Sequence, residues 1–307
     1  MGGPATWPTA DMSQLVVPDD RTSQGGSLIN AALLALAERL AAAYVAHTGP
    51  RAILLVGSTA LGLTDNYSDV DLIAYYDAPP SDNQLEATQL QIGGTDYRRP
   101  RPSVENYRAD GVHCEVGHFL VGDFERRIAT VLEAFEVETT VHKELMGLLE
   151  GRPLHGDDLI RVWQARAAAF PEGLRQAMVE HYLQKLFPLW YSETHVSQRD
   201  ARLWMQQELV QGAFSVLGVL AGLNRCYFSP FQFKRAHQFV AGLALAPSDL
   251  ADRLDALFAV SPTAAIAQLE QLVAETLDLV KDHLPNADTR ALRHPPGARE
   301  EPWSAPS

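Results

Sequence analysis

Cysteine is scarce in this 307-residue chain: Cys114 and Cys226 are its only two, far apart and without metal-ligand spacing. That excludes a disulfide framework and predicts reduced thiols in a cytoplasmic protein. Long apolar runs are missing too. None approaches the ~20 residues that span a bilayer, and the N-terminal MGGPATWPTADMSQLVVPDD has no basic stretch followed by an apolar one, so neither a membrane span nor a secretory signal is expected. Positive charge is in short supply, with 25 Lys and Arg against 38 Asp and Glu and a net charge of −13. Polyanions are held largely through neutralised phosphates, so this balance argues against DNA or RNA as a partner. It suits a cationic small molecule, although acidity also serves plain solubility. Internal repeats and low-complexity segments of functional weight are absent as well.

What is present is enough apolar residue, 46% of the chain, for a substantial core in one or two domains. Residues 1–26 mix Pro, Gly, Ser and Asp without periodicity and read as an irregular arm. Ser27 can cap a helix running to about His47, with Leu28, Ala32, Leu36, Leu40 and Ala43 on its apolar face. Strands are expected at Ala52 to Val56, from Asp69 to Tyr76, and at Gly111 to Leu120, with a helix over 81–90. Residues 93–110, rich in turns and carrying Arg98, Arg99, Arg101 and Arg108, read as a solvated loop or hairpin, or as a mobile loop that touches substrate. Helical patterns occupy 123–136, 139–150, 158–169, 172–192, 198–223, 231–243, 248–258 and 262–284. Short strands followed by an unbroken series of helices define an α+β protein: a mixed-sheet domain over 27–150, an all-α helical bundle over 151–286, and a disordered tail at 287–307.

The chemistry concentrates in Gly57-Ser58-Thr59-Ala60-Leu61-Gly62-Leu63-Thr64-Asp65-Asn66-Tyr67-Ser68-Asp69-Val70-Asp71-Leu72. An apolar strand runs into a Gly-Ser turn, whose backbone N–H groups and hydroxyl suit a phosphate. The next strand opens with Asp69 and Asp71, which share a side because strand side chains alternate. Paired carboxylates repel unless a cation sits between them, and Mg²⁺ takes oxygen ligands. In the third strand His113 and Glu115 share one face, with Cys114, Val116 and His118 on the other. A glutamate inside such a run is costly to bury unpaired, which points it at the aspartate pair. Phosphate turn plus carboxylates indicates phosphoryl or nucleotidyl transfer. Ser68 and Asp65 are expected to brace the turn.

The pattern Gly57-Ser58, ten residues, Asp69-Val70-Asp71-Leu72 resembles the signature of the DNA polymerase β-like nucleotidyltransferase superfamily, with Glu115 at the place of its third carboxylate. Added to a helical bundle, it resembles the antibiotic-modifying branch, the aminoglycoside and lincosamide nucleotidyltransferases. The specific match runs from about Arg51 to Leu120. The resemblance implies a mixed-sheet nucleotidyltransferase domain and two Mg²⁺ ions on Asp69 and Asp71. Gly57 and Ser58 would grip a nucleoside triphosphate, ATP being favoured, and Glu115 would act as third ligand or general base.

A second stretch, Asn224-Arg225-Cys226-Tyr227-Phe228-Ser229-Pro230-Phe231-Gln232-Phe233-Lys234-Arg235, joins two helices, the later one expected to start at Ser229-Pro230. By the same likeness Lys234 would reach the triphosphate and Tyr227 the base or ribose. A helix-end cation and a packing tyrosine is the alternative. Glu180, Glu193, Asp200 and Glu208 are further carboxylates that could line an acceptor pocket. The expected reaction moves a nucleoside monophosphate to a hydroxyl of a small molecule, an aminoglycoside-like antibiotic or other natural product, and releases pyrophosphate. Alternatives are nucleotidylation of a protein or RNA, or a non-catalytic nucleotide-binding module. A monomer or homodimer fits either way.

Overall fold

The computed structural model describes residues 23–186 and 200–288. The expected N-terminal arm up to residue 22, Glu193, and the tail from 289 lie outside them. The chain is α+β and divides into two compact units. One runs through Phe119 and takes in Glu150–Gly156; the other holds Leu120–Leu149 and everything from Asp157 onward.

In the first unit, helix α1 (Ser23–Thr48) starts earlier than Ser27. Its buried face is Leu33, Leu36, Ala37, Leu40, Ala41, Ala43 and Tyr44; Leu28 and Ala32 are exposed. Contrary to expectation, Leu28–Thr48 is long and apolar enough to cross a membrane by length and composition, with a mean hydropathy of 1.5 over its best window. Glu38 and Arg39 interrupt the contiguous apolar run but hardly lower such an average. Both face outward, Arg39 onto Asp110 and Glu38 onto Arg152.

The six-stranded sheet has the order β3-β4-β5-β2-β1-β6. Strand β1 (Ala52–Val56) is apolar and almost wholly buried, as a central strand must be. After it come the short α2 (Gly57–Leu61), β2 (Val70–Tyr76) and α3 (Asp82–Ile92). Helix α3 starts in a capping box, in which the Ser81 hydroxyl accepts from the Gln84 amide and the Gln84 side chain from the Ser81 amide. The arginine-rich stretch is a hairpin, β3 (Thr95–Arg101) and β4 (Val104–Ala109), leading into β5 (Val112–Leu120). Strand β6 (Arg152–His155) pairs with β1. The helical expectation ended the sheet domain at residue 150; this strand carries it on to Gly156.

One face of the sheet packs on α1 and α3 through a buried carboxylate. Glu105, with no side-chain exposure, accepts from Tyr44 Oη at 2.7 Å, Tyr97 Oη at 2.7 Å and His118 Nε2 at 2.8 Å. The other ring nitrogen, His118 Nδ1, meets Tyr76 Oη at 3.2 Å. Four strands and α1 are thereby tied together. Burial alone would raise the Glu105 pKa, but the hydrogen bonds from His118, Tyr44 and Tyr97 outweigh it and hold the carboxyl below its ordinary value.

The second unit is all helix: α4 (Val121–Leu132), α5 (Val141–Glu150), α6 (Asp157–Ala168), α7 (Glu172–Lys185), α8 (Arg202–Leu223), α9 (Ala236–Ala241), α10 (Leu250–Ala256) and α11 (Pro262–His283). The C-terminal half of α8 is buried all round, which makes it the central element. The helix expected from Ser229-Pro230 does not form there. Gln232 and Arg235 take left-handed backbone angles (φ 50° and 62°), and α9 starts only at Ala236.

Candidate nucleotide and metal site

The site is built where β1 ends. Strands β1 and β2 are antiparallel, and their register sets Val56 opposite Asp71. Gly57, the next residue, has φ +76° and opens α2. Its place is cramped: a Cβ there would lie 2.8 Å from Asp71 Oδ2. Glycine suits the backbone angle, and any larger residue would push the end of the Asp71 side chain aside. Ser58 is half-buried beside it. The Thr59 hydroxyl donates to the Asp69 carbonyl at 2.8 Å and fixes the turn to the approach of β2. Between them, Asp65 Oδ1 accepts from the Tyr67 amide (2.9 Å) and the Ser68 hydroxyl (3.1 Å), the bracing role expected for this pair.

Asp69 immediately precedes β2 and Asp71 lies in it; both are half-buried around the fully buried Val70. In β5, Cys114 and Val116 are buried and Glu115 is exposed. Residues two apart on a strand share a face, so Asp71 goes with Tyr75 and Glu115 with Phe119. The Tyr75 and Phe119 rings are 6.4 Å apart, so both carboxylates look out from the same face of the sheet. Their ends also coincide. Gly117 lies against the Leu72 carbonyl, and the Cys114 thiol, pushed up to about 11 chiefly by burial, also feels Asp69 and Asp71. Burial was the sequence argument for aiming Glu115 at the aspartates. The structure removes that argument, because the buried glutamate of this sheet is Glu105, on the opposite face; strand order is what sets Glu115 near Asp71. His118 belongs to the Glu105 network and is structural, as expected.

Among the described residues no three His, Cys, Asp or Glu side chains gather closely enough to form a complete cage. Two carboxylates on one side of a strand end nonetheless suit Mg²⁺, which binds through one or two carboxylates plus substrate phosphates and retained waters.

Tyr227 and Lys234 belong to the helical unit. Tyr227 is 3% exposed, and its hydroxyl donates to the Ala167 carbonyl at 2.6 Å. That commits it to packing between Phe170 and His142. Lys234 is exposed in the α8–α9 connection. The helical unit also has a cavity of about 210 Å³, floored by Tyr182, Phe214, Phe228 and Phe231 and edged by the ion pair of Lys185 and Glu138 (2.6 Å). Among the described residues, Glu180, Asp200 and Glu208 do not line it. Glu180 accepts from Gln176, and Glu208 from the Trp204 indole. Glu138, unremarkable in sequence, is its acidic group.

A mixed sheet with a Gly-Ser turn abutting a strand that opens Asp-x-Asp is an arrangement suited to a phosphate and a divalent cation in an α+β protein. Comparison with known proteins refines the class: residues 38–108 match the family model described as a nucleotidyltransferase domain. That span contains Gly57, Ser58, Asp69 and Asp71 and ends before Glu115. It supports nucleotidyl transfer as the general chemistry. No curated protein matches the chain. Among solved structures, a nucleotidyltransferase-like protein from Exiguobacterium sibiricum 255-15 is similar at 16% identity, over 79% of this chain and 75% of that one, with a TM-score of 0.30.

Proposed function

We propose that this protein transfers a nucleoside monophosphate, AMP from ATP, to a hydroxyl group of a small molecule with Mg²⁺ as cofactor and pyrophosphate as leaving group. The observation that supports the reading is the closeness of Gly57 to Asp71 Oδ2, which sets a turn suited to phosphate beside a carboxylate suited to Mg²⁺. Gly57 and Ser58 hold the triphosphate through backbone N–H groups and the hydroxyl. Asp69 and Asp71 would hold Mg²⁺, which when bound neutralises phosphate charge and acidifies the attacking hydroxyl. Glu115, exposed beside them, accepts the hydroxyl proton. The acceptor oxygen forms a bond to the α-phosphorus while the bridge to the β-phosphate breaks. ATP as donor and an antibiotic or other natural product as acceptor extend this reading on the strength of the motif resemblance, and a cytoplasmic location on the scarcity of cysteine.

Asp71→Asn tests it. With circular dichroism unchanged, release of pyrophosphate from radiolabelled ATP across an acceptor panel should fall at least a hundredfold. Near-normal turnover in this variant overturns the metal assignment. A second arm with the other three nucleoside triphosphates tests the choice of ATP.

A further inference from the structure

Register extends the site sideways. On the Asp71 face, Arg98 of β3 lies opposite Asn106 of β4, and Asn106 lies opposite Glu115 of β5. Directly opposed residues of antiparallel strands turn their side chains to the same face. The neighbours of Arg98 agree, since they point the other way. Tyr97 reaches the buried Glu105, and Arg99 reaches Asp82 at the start of α3. Arg98, Asn106 and Glu115 therefore form a row leading from the sheet edge to the carboxylates. Arg98 is exposed, and among the described residues no carboxylate pairs with it. Asn106 Oδ1 is shielded yet accepts no hydrogen bond. In the adjoining row Arg108, which pairs with Asp96 at 3.8 Å, lies opposite His113.

Distance separates its role from that of the phosphate turn. With strands ~4.8 Å apart, Arg98 is ~10 Å from Glu115 but ~19 Å from β1, which feeds Gly57 and Ser58. A triphosphate held at that turn leaves Arg98 on the acceptor side. Building on the proposed transfer reaction, we infer that Arg98, supported by Asn106, binds an anionic oxygen group of the acceptor. The acceptor is then a hydroxyl compound carrying a carboxylate or phosphate roughly 10 Å from the oxygen that attacks, not a polycation. Arginine suits such a group because its planar fork donates to two oxygens at once.

An edge strand also uses arginine simply to discourage edge-to-edge pairing, and the test separates the two roles. Arg101 shares the exposed edge but sits in the row of Val104 and Gly117. With the nucleotide site filled by Mg²⁺ and a non-hydrolysable ATP analogue, two probes whose hydroxyl and anion can stand about 10 Å apart, 8-hydroxyoctanoate and 6-hydroxyhexyl phosphate, are titrated calorimetrically into wild type, Arg98→Ala, Arg98→Lys and Arg101→Ala. The expected result is at least one probe bound by wild type, at least tenfold more weakly by Arg98→Ala, with part of the loss restored in Arg98→Lys and none seen in Arg101→Ala. The tighter probe identifies the anion as carboxylate or phosphate. Absence of binding to wild type, no change in Arg98→Ala, or equal loss in Arg101→Ala overturns the inference. Binding of the ATP analogue, measured first in the same cell, reports separately on the transfer reading.

Discussion

Gly57→Ala offers the sharpest perturbation of the site because its structural cost can be divided in two. The first part is backbone. Gly57 has φ +76°, and an L-residue held in that region loses ~1–2 kcal/mol. Gly62, which closes the same short helix at φ +72°, supplies a control: its added Cβ would meet only Asn30 Nδ2, at 3.9 Å. Gly62→Ala should therefore lose stability by about that amount and nothing else. The second part is unique to Gly57. Its new Cβ would lie 2.8 Å from Asp71 Oδ2, against an ordinary contact of 3.4–4 Å. The carboxylate must thus retreat by 3.4 − 2.8 = 0.6 Å or more. Because a displacement of ~1 Å in a site can cost ~100-fold in rate, a loss of roughly tenfold or more in the rate of pyrophosphate release from ATP is expected for Gly57→Ala. The assay is Mg²⁺-dependent pyrophosphate release, alongside thermal unfolding. A rate within about threefold of wild type in Gly57→Ala, or an equal loss in Gly62→Ala, would refute the reasoning.

The remaining predictions follow from particular contacts. Glu105→Gln leaves the His118, Tyr44 and Tyr97 donors facing a weaker acceptor and should lower stability by ~1–3 kcal/mol at neutral pH. The Glu105 carboxyl is depressed in the fold below its ordinary 4.5. Its contribution is therefore complete above that value and is lost as pH falls through the folded pKa. Urea titrations from pH 6 to pH 3 should show an acid loss in wild type that is smaller in Glu105→Gln; parallel curves would contradict the assignment. Tyr227→Phe removes the bond to Ala167 and should cost ~1 kcal/mol of stability without changing the KM for nucleotide. A changed KM would return Tyr227 to the site.

The stretch from Gly57 to Leu72 was legible in sequence because its determinants are local. A glycine next to a strand end, a serine hydroxyl and carboxylates two apart act through the backbone geometry of a few residues. The helix starting near Ser81 and the bracing of the turn by Asp65 and Ser68 were readable for the same reason. Other readings failed where local pattern competes with packing. Of the readings offered for residues 93–110, the hairpin holds and the loop fails, because β5 supplies β4 with a partner strand. Ser229-Pro230 has the composition of a helix start, but the left-handed angles at Gln232 and Arg235 delay the helix to Ala236. Tyr227 stands in a suggestive motif and is nonetheless consumed by packing against Phe170.

The amino-acid sequence alone determined the kind of chemistry and the strand–turn–strand that carries it, since both depend on residue type and short spacing. Only the tertiary structure decided which distant groups join them. Glu105 and Glu115 are ten positions apart in adjacent strands. One is sealed under three hydrogen bonds on the α1 face; the other is open on the Asp71 face. Nothing in their local sequence separates them, because a strand offers two equivalent faces and what covers each is settled by helices and strands far along the chain. The row from Arg98 through Asn106 to Glu115 is likewise a product of register, visible once three strands are laid side by side.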